Sequence, residues 1–223
     1  MCNRPSDRDG RHLCSACVMR LPLAPQTGCC AVCGRPVEGS AGEFVCEECA
    51  SNPPAFDRAA CAMRFEGSAR QMLLDFKFNR HLWLRDDFAD LIEAAVRARF
   101  DVAAVDLVIP MPASAVHRWD RGYNQCEPVA RLVARRISRR FDASSLVRRG
   151  APARQSSLTE LERRENAKGT FLVRRPRLVR GRTVLVVDDV LTTGATMSEA
   201  ARTLKESGAS RVWAATLARS VRD

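Results

Sequence analysis

The sequence predicts an α/β fold, a largely parallel sheet flanked by helices, preceded by a small cysteine-rich module. Three observations carry this. Beyond residue 58, short apolar, β-branched runs alternate with segments of helical periodicity, the pattern of parallel strands joined by crossover helices. Residues 183–196 read Thr-Val-Leu-Val-Val-Asp-Asp-Val-Leu-Thr-Thr-Gly-Ala-Thr, a buried strand running into two carboxylates and a Gly-containing turn. Upstream, six of the ten cysteines form three Cys-x-x-Cys pairs.

The cysteine pairs come first in the chain. Cys14/Cys17, Cys30/Cys33 and Cys46/Cys49 are each separated by twelve residues, so the array repeats every sixteen. Cys-x-x-Cys places two thiolates on one tight turn, and two such turns close a tetrahedral Zn²⁺ site. A disulfide framework suits small secreted domains, and nothing in the sequence points to secretion. A redox Cys-x-x-Cys needs one copy after a strand, not three. Structural Zn²⁺ is therefore expected, with Cys30, Cys33, Cys46 and Cys49 as a zinc-ribbon-like set. Gly34 follows Cys33 where such a turn needs a left-handed residue. Cys14 and Cys17 could replace one of these pairs, or form half of a second site with Cys2 or His12; the spacing leaves both open. Cys61 and Cys126 lie outside the array and read as small buried residues. Residues up to Pro54 carry few large apolar side chains, so this segment depends on metal to fold. Asn52-Pro53-Pro54 marks a boundary, giving a module over 1–54 and a second domain over 55–223.

In that domain Ala60 to Phe65 reads as an entry strand, and Ala69 to Phe76 and Trp83 to Phe100 as helices. Val105 to Ile109 is an apolar strand ending at Pro110-Met111-Pro112. Glu127 to Arg140 is a helix with its cations on one side. Arg182 to Val187 and Arg211 to Leu217 are strands flanking a helix from Met197 to Ser207. The segment Arg118 to Gln125 offers two guanidiniums, a Gly and two amides, an anion-binding composition. Gln155 to Asn166, polar and dense in charge, suits a lid or a solvated surface helix.

The acid pair carries the functional signal. Helix-start N–H groups, the helix dipole and Thr hydroxyls favour a phosphate after the turn. The carboxylates cannot sit on that phosphate. They suit hydroxyls or a divalent cation, so the implied ligand carries a sugar diol beside a phosphate. An Asp pair can also simply cap a turn, but the full run with its Thr-Thr-Gly-Ala-Thr turn favours the ligand site. A Walker B reading fails because the chain has no Gly-Lys pair.

Composition bounds the class. The chain has 223 residues with 46% hydrophobic, enough for a core. No apolar stretch reaches the ~18 residues of a bilayer span, and the first ten residues lack a signal-peptide centre, so a cytoplasmic location is expected. The formal charge is +10, and only Lys77, Lys168 and Lys205 among the 36 basic residues are lysines. An arginine-rich surface attracts polyanions, nucleic acid included, although three Trp and one Tyr provide few stacking surfaces.

The run from Val186 to Thr196 resembles the 5-phosphoribosyl-1-diphosphate (PRPP) motif of type I phosphoribosyltransferases. The likeness widens with Phe76-Lys77-Phe78, Ile109-Pro-Met-Pro112, Arg121-Gly-Tyr-Asn-Gln125, Gln155-Ser-Ser-Leu158 and Arg164-x-Asn166, which follow the cysteine pairs in the order of the ComF/GntX family. That resemblance covers nearly the whole chain. It implies a type I phosphoribosyltransferase-like domain in which Asp188 and Asp189 hold ribose and act in catalysis, and Thr192, Thr193, Gly194, Ala195 and Thr196 hold the 5′-phosphate. Met111, Arg121, Asn124 and Gln125 would face the diphosphate or the second substrate, Mg²⁺ would accompany PRPP, and Gln155 to Asn166 would close over the site. Competence members of the family implicate single-stranded DNA or DNA-uptake proteins as partners. The resemblance leaves open the acceptor, the oligomeric state and catalysis itself. A non-catalytic DNA- or partner-binding protein that retains a PRPP pocket is the rival expectation. Two departures are visible: the first complete Cys-x-x-Cys pair of longer relatives is missing, with Cys2 as its remnant, and Tyr123 stands where Phe is commoner.

Overall fold

A computed structural model describes residues 2, 5–37, 42, 44–79, 81–113, 123–149 and 169–220. Five strands form one parallel sheet: β1 (Arg58–Arg64), β2 (Leu107–Pro110), β3 (Arg140–Phe141), β6 (Thr183–Leu191) and β7 (Arg211–Arg219). Their order is β1-β7-β6-β2-β3. A separate antiparallel hairpin pairs β4 (Leu146–Arg148) with β5 (Phe171–Val173). Short helices α1 (Ser15–Met19) and α2 (Glu47–Ser51) lie in the cysteine-rich segment. The longer helices are α3 (Gly67–Phe78), α4 (Arg85–Arg99), α5 (Cys126–Arg136) and α7 (Ala195–Glu206), with the single turn α6 (Pro176–Val179) before β6.

The sheet is buried on both faces, which is why its strands read as continuous apolar runs rather than alternating ones. Successive residues nevertheless go to opposite sides. Leu185, Val187, Trp213 and Ala215 join Leu73, Phe76, Phe88, Ile92 and Val133 of α3, α4 and α5 in one core. Val184, Val186, Val212 and Ala214 join Met197, Ala201 and Leu204 of α7, with Cys33, Cys49 and Phe56, in the other. The cysteine-rich segment thus contributes to both cores, through Leu13 and Leu21 on one side and its thiols on the other.

This winding creates a switch point. The chain moves outward from β2 to β3 through α5 on one face, and from β6 to β7 through α7 on the other. β2 and β6 pair in register, Pro110 opposite Val187, and the Met111 N–H closes the ladder on the Val187 carbonyl at 2.8 Å. A crevice at the carboxyl ends of two such strands is where open parallel sheets bind ligands.

Most boundaries shift by one or two residues from expectation, and two shift by four. The helix expected to reach Arg140 stops at Arg136, because Ser138 turns left-handed (φ 57°) and Arg139 N–H closes on the Ala134 carbonyl. The apolar strand does not stop at Val187. β6 continues through both aspartates to Leu191, paired with β7 at Asp188–Thr216 and Val190–Ala218.

Residues 7–13 are clipped to α4 by a buried carboxylate. Asp87 is fully buried, and it accepts from Arg8 Nη1 at 3.0 Å and from the His12 and Leu13 amides at 3.0 and 3.3 Å. Asp90 accepts from Arg8 and Arg11, and pairs with Arg136 of α5. Asp87→Ala leaves Arg8 paired with Asp90 but removes the acceptor of the buried Leu13 amide, so it is expected to cost about 1–3 kcal/mol in chemical denaturation. A loss under about 1 kcal/mol would mean the clip is a solvated surface pair.

Candidate active site

Asp188 and Asp189 stand on β6 at the switch point, on successive residues, so they face different surroundings. Asp189 meets a cation and an amide: Lys77 Nζ lies 2.9 Å from Oδ1, and Gln125 Nε2 donates to Oδ2 at 3.0 Å. Asp188 accepts from the Asp189 amide at 2.8 Å and from the Cys126 thiol at 3.5 Å. Burial, then the neighbouring Asp189 charge, pushes Asp188 up to about 7. Burial would lower Lys77, but Asp189 overrides it and holds the ammonium above its ordinary value. Cys126 is driven well up by burial and then by the two carboxylates, so it stays a thiol.

These groups border a cavity of about 170 Å³ shared with Met111, Pro112, Asn124, Arg148 and Thr196. The loop after β2 is fixed from α5's start: Asn124 Nδ2 donates to the Met111 carbonyl at 3.0 Å, while its Oδ1 accepts from the Cys126 amide. Gln125 Oε1 is a buried acceptor without a partner. Two carboxylates and a spare amide oxygen face Lys77 and the Arg148 guanidinium, and the amide oxygen is still without a donor. Sugar hydroxyls, or a divalent cation at the acid pair, fit that set.

The Thr192–Thr196 turn caps α7. Gly194 is left-handed (φ 81°), a conformation that disfavours any side chain, and Thr193 Oγ1 accepts from the Ala195 amide. Arg219, buried at the end of β7, donates to the Leu191 carbonyl at 2.8 Å and also to the Thr192 carbonyl, tying the turn to the sheet. Of the five turn residues, Thr196 lines the acid-pair cavity. Thr193, Gly194 and Ala195 border a different cavity of about 720 Å³ against Pro53, Pro54 and Phe56. Arg121 and the segment from Gln155 to Asn166 lie outside the described residues.

Of the residues expected at the site, the structure brings Asp188, Asp189, Met111, Asn124, Gln125 and Thr196 to one cavity, whereas Thr193, Gly194 and Ala195, expected with them, border another. Sequence reasoning assigned no role to Lys77, Arg148 or Arg219. Lys77 had a signal, being one of three lysines in an arginine-rich chain.

The cysteine set resolves by geometry. Cys30, Cys33, Cys46 and Cys49 bring one sulfur each within 4.8 Å of one another, and Cys14 and Cys17 lie with Cys2 instead. Cys30 Sγ accepts from the Cys33 and Cys46 amides at 3.5 and 3.3 Å. Burial opposes its ionisation, yet these N–H groups bring Cys30 down to about 7. Such a closed, amide-supported thiol set suits structural Zn²⁺. Arg99, in the last turn of α4, donates to Cys29 Sγ and to the Cys30 carbonyl and joins this knuckle to the sheet domain.

Comparison with known proteins agrees with the geometry. The phosphoribosyl transferase domain profile matches residues 124–222. DNA utilization protein YhgH of Escherichia coli O6:H1 is 28% identical over 215 residues, covering 95% of this chain and 92% of that protein. Competence protein F of Haemophilus influenzae is 29% identical over 216 residues, covering 93% and 90%. Among solved structures, glutamine PRPP amidotransferase from B. subtilis overlaps 58% of this chain and 25% of its own at 17% identity, with a TM-score of 0.40. With a parallel sheet of this order, a four-cysteine cluster ahead of it and likeness to both proteins over more than nine-tenths of its length, the chain resembles the ComF-like proteins and carries a phosphoribosyltransferase-type domain.

Proposed function

We propose that this chain binds PRPP at the acid pair and transfers its phosphoribosyl group to an acceptor. The observation that carries the reading is the cavity at the β2–β6 switch point, where Asp188, Asp189, Lys77 and the start of α7 meet. Asp188 and Asp189 accept hydrogen bonds from the ribose hydroxyls and lie near the positive charge that develops at C1 as diphosphate leaves. Thr196 and the start of α7 take the 5′-phosphate, and anchoring there orients C1. Arg148, on the cavity wall, and the Met111 turn face the diphosphate. Lys77 holds the Asp189 carboxylate in position before ligand arrives. Mg²⁺ bound with PRPP supplies charge compensation for the departing diphosphate. Residues 1–54 act as a metal-dependent clip on the domain of residues 55–223. Incubation with PRPP and a panel of nucleobases and amines should release diphosphate with at least one acceptor. Release that is unchanged in both Asp188→Asn and Asp189→Asn would end the transferase reading.

The Asp188 carboxyl gives this reading a pH signature. Its folded pKa lies above the ordinary 3.8, so the folded protein holds the proton more tightly than the unfolded chain does. Its contribution to stability is therefore present at low pH and is lost as pH rises through about 7. PRPP binding runs the other way, because the ionised form accepts hydroxyls and cations. Affinity is expected to rise between about pH 6 and 8 in excess of the ligand's own titration, and Asp188→Asn should remove that excess. The same rise persisting in Asp188→Asn would assign it elsewhere.

A second reading, binding of single-stranded nucleic acid, is favoured by a groove of about 860 Å³ beside the acid-pair cavity. Arg85, Arg131, Arg135, Arg148 and Arg174 line it with Tyr123, and Arg85 and Arg131 pair with Asp86 and Glu127 of the same groove. Arg139 is a poor probe of this surface, since its Nε donates to the Val102 carbonyl; Arg131 and Arg135 are exposed on α5. Binding that falls steeply with salt and weakens in Arg131→Ala/Arg135→Ala supports this reading.

A further inference from the structure

The three cysteines left over from the zinc-ribbon-like set converge elsewhere. Cys2, Cys14 and Cys17 bring their sulfurs within 4.8 Å of one another, with Cys2–Cys14 at 3.6 Å and Cys2–Cys17 at 3.4 Å. A disulfide requires about 2.05 Å, so these sulfur contacts are not disulfides. Tetrahedral Zn²⁺ with Zn–S near 2.3 Å separates its sulfurs by about 3.7–3.8 Å. The neighbouring four-cysteine cluster, with Cys33–Cys46 at 3.8 Å, has that spacing.

The convergence is built by the fold. Cys14 precedes α1 and Cys17 sits in its first turn, the Cys17 amide donating to the Cys14 carbonyl at 2.9 Å. The chain before Cys14 is folded back: Ser6 Oγ donates to the Leu13 carbonyl, Asp7 accepts from the Ser15 amide, and Arg8 is held by Asp87. That reversal returns Cys2 to the pair. His12, the other residue that could have completed the set, packs edge-on against Trp83 with ring centroids 4.9 Å apart.

No fourth protein sulfur or imidazole joins the cluster among the described residues. Instead a cavity of about 220 Å³ opens directly on it, walled by Cys2, Cys17, Arg20, Ser68 and Met72. Three thiolates around Zn²⁺ carry a net negative charge, which the Arg20 guanidinium on the wall offsets. We infer that Cys2, Cys14 and Cys17 form a second zinc site, whose fourth coordination position opens into this cavity and takes an exogenous donor such as water or a small thiol. Closed four-ligand sites are structural, and a three-ligand site keeps a position for exchange. This inference does not depend on the PRPP reading.

Metal analysis of the intact protein, purified under reducing conditions, is the test. Wild type should carry about two zinc ions per chain, and Cys2→Ser and Cys17→Ser about one, the four-thiolate site remaining filled. Cys2 belongs to no helix or strand, so its replacement leaves the fold in place and an unchanged far-ultraviolet spectrum verifies that. In cobalt-loaded protein, added imidazole should shift the visible bands of wild type and leave those of Cys2→Ser alone. One zinc per chain in wild type and Cys2→Ser alike, or bands indifferent to imidazole, would overturn the proposal.

Discussion

Asp189→Asn is expected to weaken PRPP binding by about 100-fold or more while leaving the fold intact. The carboxylate accepts charge-assisted hydrogen bonds, each contributing about 1.5–3 kcal/mol, and the loss of about 2.8 kcal/mol is already 100-fold. An amide keeps one acceptor for Lys77 but presents an N–H₂ toward ligand hydroxyls or toward Gln125. The fold tolerates this, because Gln125 carries a buried, unpartnered Oε1 and can rotate its amide to accept from the new donor. The thermal midpoint should move by no more than a few degrees. A variant that binds PRPP normally would show that the acid pair is only a turn-capping element of β6.

Losing metal from the four-cysteine cluster is the second large effect. Cys30, Cys33, Cys46 and Cys49 belong to the core that α7 and the sheet share with Phe56 and Leu191. Burial, and then the Cys33 charge, raises the Cys49 thiol far above its ordinary value, so without a cation the four cannot all ionise. Metal binding and folding of such segments are one process. Cys49→Ser is expected to cost about 4 kcal/mol or more, lowering the melting temperature by roughly 8–16 °C for a chain of this size. It should also make the Asn52–Pro54 stretch open to protease. Chelation of wild type should reproduce both effects, and a chelated protein that melts unchanged would remove the metal from the account.

How much of this could be read beforehand follows from where the information lies. β6 and β7 were legible because strands buried on both faces are continuously apolar, and α7 because a Gly turn and helical periodicity are local. The end of α5 was not: it depends on Ser138 adopting a left-handed conformation usually left to Gly. Nor was the β4–β5 hairpin, whose three-residue strands sit among arginines and carry no periodicity. In the site, the acid pair and its turn are contiguous and spoke for themselves. The charge balance around them is not contiguous. Lys77 arrives from the last turn of α3, Gln125 from the start of α5, and Arg148 from the hairpin. Only the packed sheet brings them together. The cysteines show the same limit, since identical spacing permitted two pairings. The folded-back segment before α1 decided for Cys2 with Cys14 and Cys17.

The most direct test of the account is calorimetric titration of the zinc-loaded protein with PRPP, with and without Mg²⁺, in wild type and Asp189→Asn. Saturable binding at one site per chain, tightened by Mg²⁺ and lost in Asp189→Asn, is the predicted result. Absence of binding in wild type, or equal binding by both proteins, would contradict it.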